Sequence, residues 1–266
     1  MEADKPAGLR RIRLTTLLKR LEAKALLLWA GAAGALWAFL VLAGEMGEGE
    51  TAALDRRLLM ALRTPGHPAD PIGPAWLQEC MRDLTAVGGV TVLTLVTITA
   101  VVTLLFHGKW RHALVMGATV LAAQVSSGVL KMFYDRPRPT LVPHGSFVYS
   151  ASFPSGHSTL AAAVYLTLAA VVASLERTRR AKIFVFCLAL LIVPAVGFSR
   201  VYLGVHWPTD VLAGWCLGSL WALGALIALH ALRPSQAATS PAMDHLTGRP
   251  DAGPSAGTSL RTPKAR

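Results

Sequence analysis

Residues 183–232 read IFVFCLALLIVPAVGFSRVYLGVHWPTDVLAGWCLGSLWALGALIALHAL, and only Arg200 and Asp210 carry charge. Residues 183–199 and 211–232 are free of Asp, Glu, Lys and Arg. Each run is near the roughly 20 apolar residues that span a bilayer. Working outward, three more such runs appear at 25–44, 84–108 and 112–130, and a sixth at 158–175 follows a Pro-Ser-Gly-His turn. The chain is 53% hydrophobic with mean hydropathy +0.47. A soluble protein of this make-up would lack the polar sequence to cover six nearly uncharged helices. The first run exceeds a signal-peptide core and no Ala-x-Ala site follows it, so an uncleaved helix is expected.

The expected fold is therefore all-α, a polytopic membrane bundle with spans at about 25–44, 85–106, 112–130, 158–175, 183–199 and 210–232. A basic cytoplasmic tail (1–24), an outer loop (45–83) and a disordered cytoplasmic tail (233–266) complete the division. In the loop, Leu54, Leu58 and Leu62 recur every four residues among Asp55, Arg56, Arg57 and Arg63, which predicts a short amphipathic helix on the membrane surface. Pro65, Pro68, Pro71 and Pro74 then break any helix. Trp76, Trp110 and Trp207 near span ends are expected to be interfacial anchors.

Most of the 26 Lys and Arg lie in the two tails, at Lys109 and Arg111, and between Arg177 and Lys182. In a six-span layout these share one face, which the positive-inside rule assigns to the cytoplasm. Both termini are then cytoplasmic. The net charge of +11 is explained by basic loops beside anionic membrane lipids and calls for no nucleic acid. Cys80, Cys187 and Cys216 suggest no disulfide framework.

Three stretches carry the chemistry: Lys131 with Arg138-Pro139, then Pro154-Ser155-Gly156-His157, then Ser199-Arg200 with His206 and Asp210. On the predicted topology all fall on the non-cytoplasmic face. Arg138 and Arg200 present forks of donors that match phosphate oxygens, and Lys131 adds a point charge. Ser155 and Gly156 stand where a helix begins, with free amides and the positive end of the helix dipole. His206 suits an in-line nucleophile on phosphorus. Asp210, four residues on, is spaced to hold its Nδ1 proton, with Pro208 starting the helix between them. His157 suits the acid that protonates the leaving oxygen, so a bell-shaped rate in pH is expected. Arg136 lies outside this pattern and reads as a surface or headgroup contact, with Asp135 as its local partner. Gly214 and Gly218 read as a helix-packing pair. No histidine has companions at metal-ligand spacing, and no cofactor is expected.

The three stretches resemble the type 2 phosphatidic acid phosphatase superfamily, with its Lys-x6-Arg-Pro, Pro-Ser-Gly-His and Ser-Arg-x5-His-x3-Asp pattern, over about residues 50–232. The resemblance implies a metal-independent, vanadate-sensitive membrane lipid phosphatase with His206 as nucleophile, His157 as acid, and Lys131, Arg138 and Arg200 holding phosphate. The expected substrate is a lipid phosphate or pyrophosphate of the undecaprenyl pyrophosphate, phosphatidic acid or phosphatidylglycerophosphate type. The expected site is the outer face of a bacterial cytoplasmic membrane. A lipid phosphotransferase or lipid A phosphatase would carry the same motifs; a non-catalytic headgroup binder or transporter is the alternative outside catalysis. Oligomeric state is left open.

Overall fold

The computed structural model describes residues 7–140 and 150–232; the expected tail 233–266 and residues 1–6 lie outside them. Helix α1 (Ala7–Glu48) carries the basic segment and the first apolar run as one helix. Then come α2 (Ala52–Met60), a hairpin of β1 (Arg63–Thr64) and β2 (His67–Pro71), α3 (Ala75–Val87), α4 (Val90–Phe106), α5 (Trp110–Tyr134), α6 (Gly156–Leu175), α7 (Arg179–Tyr202) and α8 (Pro208–Ala231). The fold is a helical membrane bundle. Among the described residues, five helices are each long and apolar enough to cross a bilayer, and the α3–α4 pair makes a sixth when taken as one bent span.

That pair departs from the predicted straight span at 85–106. It bends by 45° between Val87 and Val90. The break falls at Gly88-Gly89, where helix propensity is poor. A Cβ on Gly88 would lie 2.2 Å from Val196 Cγ1, so the glycine lets the bend press against α7.

Segment 45–83 also holds more structure than a loop. Thr64-Pro65-Gly66-His67 turns the hairpin, with Gly66 at φ +81°. Pro-Gly suits such a turn because proline pre-sets its own φ and glycine accepts the positive one. The proline-rich stretch therefore ends the helix by making a hairpin, the one strand pair in an otherwise helical fold among the described residues.

Helix α6 is the buried centre, packed on α8, α7 and α5, while α1 packs on α8. Its Ala161–Val164 stretch is fully buried. Glycines set the approach of α8: Cβ atoms on Gly214 and Gly218 would lie 2.8 Å from Ser155 O and 2.3 Å from Thr159 O. Large apolar side chains such as Leu27, Trp37, Leu95, Phe106, Leu121 and Leu191 point outward, as expected where the surrounding solvent is hydrocarbon. The C-terminal ends of α5 and α7 meet the N-terminal ends of α6 and α8, and the motif residues all lie at that end.

Candidate active site

The turn between α7 and α8 carries His206. Pro208 opens α8 as predicted, and Asp210 sits in its first turn. Asp210 Oδ2 accepts the Trp207 amide at 2.9 Å, the return half of a capping box. The same oxygen lies 3.3 Å from His206 Nδ1 and accepts the Ser152 hydroxyl. Ser152 Oγ is also 3.4 Å from His206 Nδ1. This arrangement selects the tautomer with the proton on Nδ1 and leaves the lone pair on Nε2. That lone pair faces Arg138, whose Nη1 lies 3.2 Å away. Burial drives the His206 pKa down to about 3, with Asp210 acting the other way. The imidazole is thus held neutral and its free nitrogen is turned toward a cation.

Arg138 is itself anchored by Ser150 O at 2.9 Å and Val205 O at 2.7 Å. Burial lowers its pKa, again against Asp210. Lys131, in the last turn of α5, donates to Ala151 O at 2.7 Å and passes beside Gly156, where a Cβ would be 3.6 Å from Lys131 Cε. Arg200 is buried near the end of α7. Its Nη1 donates to Thr85 Oγ1 at 2.8 Å while its Nε has no partner among the described residues. Arg200, His206, Arg138 and Lys131 all lie within electrostatic reach of His157, so the cations and both imidazoles are neighbours.

The Pro-Ser-Gly-His turn starts α6. Ser155 is the N-cap, its Oγ accepting from the hydroxyl of Ser158 at 3.0 Å, and its amide donates to Asp210 O at 2.9 Å. Its amide and an Oγ lone pair thus serve the turn. The amides of Gly156 and His157 open the helix without an intrahelical acceptor. Phe153, fully buried against Phe39 and Tyr134 with ring centroids 5.9 and 5.1 Å away, pins the turn to α1 and α5.

Three expectations need correction. Arg136 is no surface contact: it donates to Asp210 Oδ1 at 2.6 Å, Thr209 Oγ1 at 2.8 Å and Asp55 Oδ2 at 2.7 Å. Asp135 is not its partner, because that residue caps α5 in the left-handed region at φ +39° and is exposed. Trp207 is no simple anchor: its Nε1 donates to Pro137 O at 3.1 Å and its ring lies 5.7 Å under the Arg136 guanidinium. Asp55, fully buried, also accepts from the Thr209 amide at 2.9 Å and the Thr209 hydroxyl at 2.6 Å. Sequence reasoning missed Asp55, Ser152, Thr85 and Thr209. The available signal was polarity alone, since no spacing rule links them to the motifs.

The geometry has the parts for phosphoryl transfer: an oriented neutral nucleophile, cations in front of it, and a second imidazole alongside. The sequence pattern of the PAP2 superfamily matches residues 112–234. Phosphatidylglycerophosphatase B of Bacillus subtilis (strain 168) is 38% identical over 148 residues, spanning 54% of this chain and 71% of that protein. Undecaprenyl-diphosphatase BcrC of the same organism is 37% identical over 109 residues, spanning 38% of this chain and 50% of that protein. The crystal structure of a transmembrane PAP2-type phosphatidylglycerolphosphate phosphatase from Bacillus subtilis superposes with a TM-score of 0.65 at 31% identity, covering 73% of this chain and 93% of that one.

Proposed function

The chain belongs to the PAP2 superfamily, and from that premise we propose that it is an integral membrane phosphatase that hydrolyses a lipid phosphate or pyrophosphate through a phosphohistidine. The observation that carries this reading is His206, with Nδ1 held by Asp210 at 3.3 Å and Nε2 presented to Arg138 at 3.2 Å. A phosphate entering between them takes over the Arg138 donor and meets the Nε2 lone pair in line.

Lys131, Arg138, Arg200 and the free amides of Gly156 and His157 hold the three equatorial oxygens as charge spreads over them. Nε2 forms a bond to phosphorus while the bond to the lipid oxygen breaks, and His157 gives that oxygen a proton. Asp210 stabilises the imidazolium side of the phosphohistidine. Water then attacks phosphorus, His157 takes its proton, and inorganic phosphate leaves with His206 neutral again. Ser155 serves this site as the cap that aims the amides.

The proposed setting is a bacterial cytoplasmic membrane, both termini cytoplasmic, with the site on the outer face. Favoured substrates are undecaprenyl pyrophosphate, phosphatidylglycerophosphate and phosphatidic acid. The test is phosphate release by purified protein in detergent with EDTA, across these lipids, with His206→Ala alongside. Release from at least one lipid that survives EDTA and is lost in the variant is expected. Release by the variant at the wild-type rate would overturn the histidine mechanism.

A further inference from the structure

Arg63 begins the hairpin and is only 4% exposed, yet its Nε and Nη2 are buried without a hydrogen-bond partner among the described residues. No carboxylate pairs with it among the described residues. Burial lowers its pKa, and the opposing influence is the Tyr202 phenol. A buried, unpaired guanidinium is costly and persists in a fold only with a reason. Within the described residues one other arginine leaves a buried guanidinium nitrogen unpartnered, and that is Arg200, in the phosphate cradle.

The position links the two. Tyr202 lies two residues beyond Arg200 on α7, and its hydroxyl donates to Ile72 O at 2.6 Å, tying the hairpin to the end of that helix. Leu59 and Leu62, just before Arg63, pack with Val201, Val211 and Trp207, around the turn that holds His206. The hairpin thus stands against the end of α7 and the turn that carries His206, at the same end of the bundle as the cradle.

The charge balance says what is missing. Arg136 is matched by two carboxylates, Asp55 and Asp210, leaving one negative charge over. Set against Lys131, Arg138 and Arg200, this leaves a surplus of two positive charges, the complement of one phosphate monoester dianion. Arg63 adds a further positive charge that a single phosphate does not use. Building on the phosphatase reading above, we propose that Arg63 binds a second phosphate group, favouring lipids whose reacting phosphate is joined or neighboured by another, as in a diphosphate or a phosphodiester-linked phosphate. The same chemistry could be met by the headgroup phosphate of a neighbouring bilayer lipid, and the two sources are separable.

R63M removes the charge at similar length; R63K, which keeps the charge on a shorter reach, is the second variant should R63M not fold. The readout is the ratio of kcat/KM on undecaprenyl pyrophosphate or phosphatidylglycerophosphate to that on phosphatidic acid, in detergent free of phospholipid. A fall of about 10- to 100-fold in that ratio, the scale of lost charged hydrogen bonds, with partial retention in R63K, assigns the second phosphate to the substrate. A loss equal for all lipids that appears only when phospholipid is added assigns it to the bilayer headgroup. An unchanged ratio with no phospholipid dependence overturns the proposal. Should wild type release no phosphate from any lipid, the phosphatase reading fails on its own. Calorimetry then decides for Arg63: in a His206→Ala background, a preference for inorganic pyrophosphate over phosphate that R63M erases upholds it, and equal preferences overturn it.

Discussion

The two sides of His206 are built on opposite rules. On the Nδ1 side, Asp210, Ser152, Arg136, Thr209 and Asp55 close on one another, each carboxylate satisfied by several donors at 2.6 to 3.3 Å. On the Nε2 side, among the described residues, Arg200 leaves a buried nitrogen unpartnered and the amides of Gly156 and His157 have no backbone acceptor. Low dielectric makes a closed polar network rigid and an open one expensive. The closed side therefore reads as scaffold and the open side as the place an anion completes. Each side can be disturbed separately.

The largest effect comes from cutting the link between the sides. On the proposed mechanism, Asp210→Asn removes the charge that stabilises the imidazolium and unsettles the Nδ1–H tautomer, with little change of shape. A fall in kcat of about 10⁴-fold is expected, as for the orienting carboxylate of other nucleophile triads, with KM changed far less. Steady-state kinetics in detergent check it. A loss confined to KM would mean that Asp210 serves the open side instead.

Next is the interior of the closed side. Arg136→Met and Asp55→Leu each strip one partner from a buried ion pair, and each should destabilise by about 3–5 kcal/mol. The double variant removes both members and should recover part of that loss, giving a coupling of about 0.5–3 kcal/mol in a thermal-unfolding cycle. Simple additivity would show that Asp55 and Arg136 act independently, and the closed side would then be no unit.

The open side was the more legible of the two. Arg138, His157, Arg200 and His206 stood out as charged or imidazole groups in motifs beside apolar spans, and the spans stood out by lacking charge. The closed side was hidden for a physical reason. In α2 the Leu54–Leu58 stripe drew attention, yet both residues point outward, while Asp55, Leu59 and Arg63 are the buried ones. The buried face of α2 carries Asp55 and Leu59 while Arg56 and Arg57 stay exposed, so neither the leucine stripe nor polarity alone marks the inward side. Arg136, Thr209 and Asp210 are brought to Asp55 from 81 to 155 residues away, distances over which no spacing rule operates. The bend at Gly88-Gly89 was equally hidden, because an uncharged run reads the same whether straight or broken.

A steric change separates geometry from charge. Gly214→Ala would set its methyl 2.8 Å from both Ser155 O and Ser158 Cβ, pushing the start of α6 away from α8. The methyl meets a backbone oxygen and a Cβ, and no rotamer moves either atom. Overpacking of this kind costs about 1–3 kcal/mol, and kcat should fall with it because the amides of Gly156 and His157 move off the phosphate. Gly224→Ala on the same helix, with nothing within 4 Å, is the control and should keep wild-type stability and rate. Equal behaviour of the two variants would detach the packing of α6 on α8 from the open side.

The smallest effect is one that should not appear. His206 is held near pKa 3 by burial, against the pull of Asp210, while an ordinary histidine titrates near 6.5. Because the shift is downward, the ring stays neutral as pH falls from 8 to 5 and takes its proton only near 3. Nitrogen NMR of ¹⁵N-histidine-labelled protein, with the His206 signals assigned by their loss in His206→Gln, should show no movement over that range in the ligand-free state. The acid limb of the expected bell in kcat/KM then cannot come from His206 in the free enzyme; the substrate's own phosphate ionisation is left to set it. A His206 titration near 6.5 would mean that the closed side lets water in, and the contrast between the two faces of the ring would no longer hold.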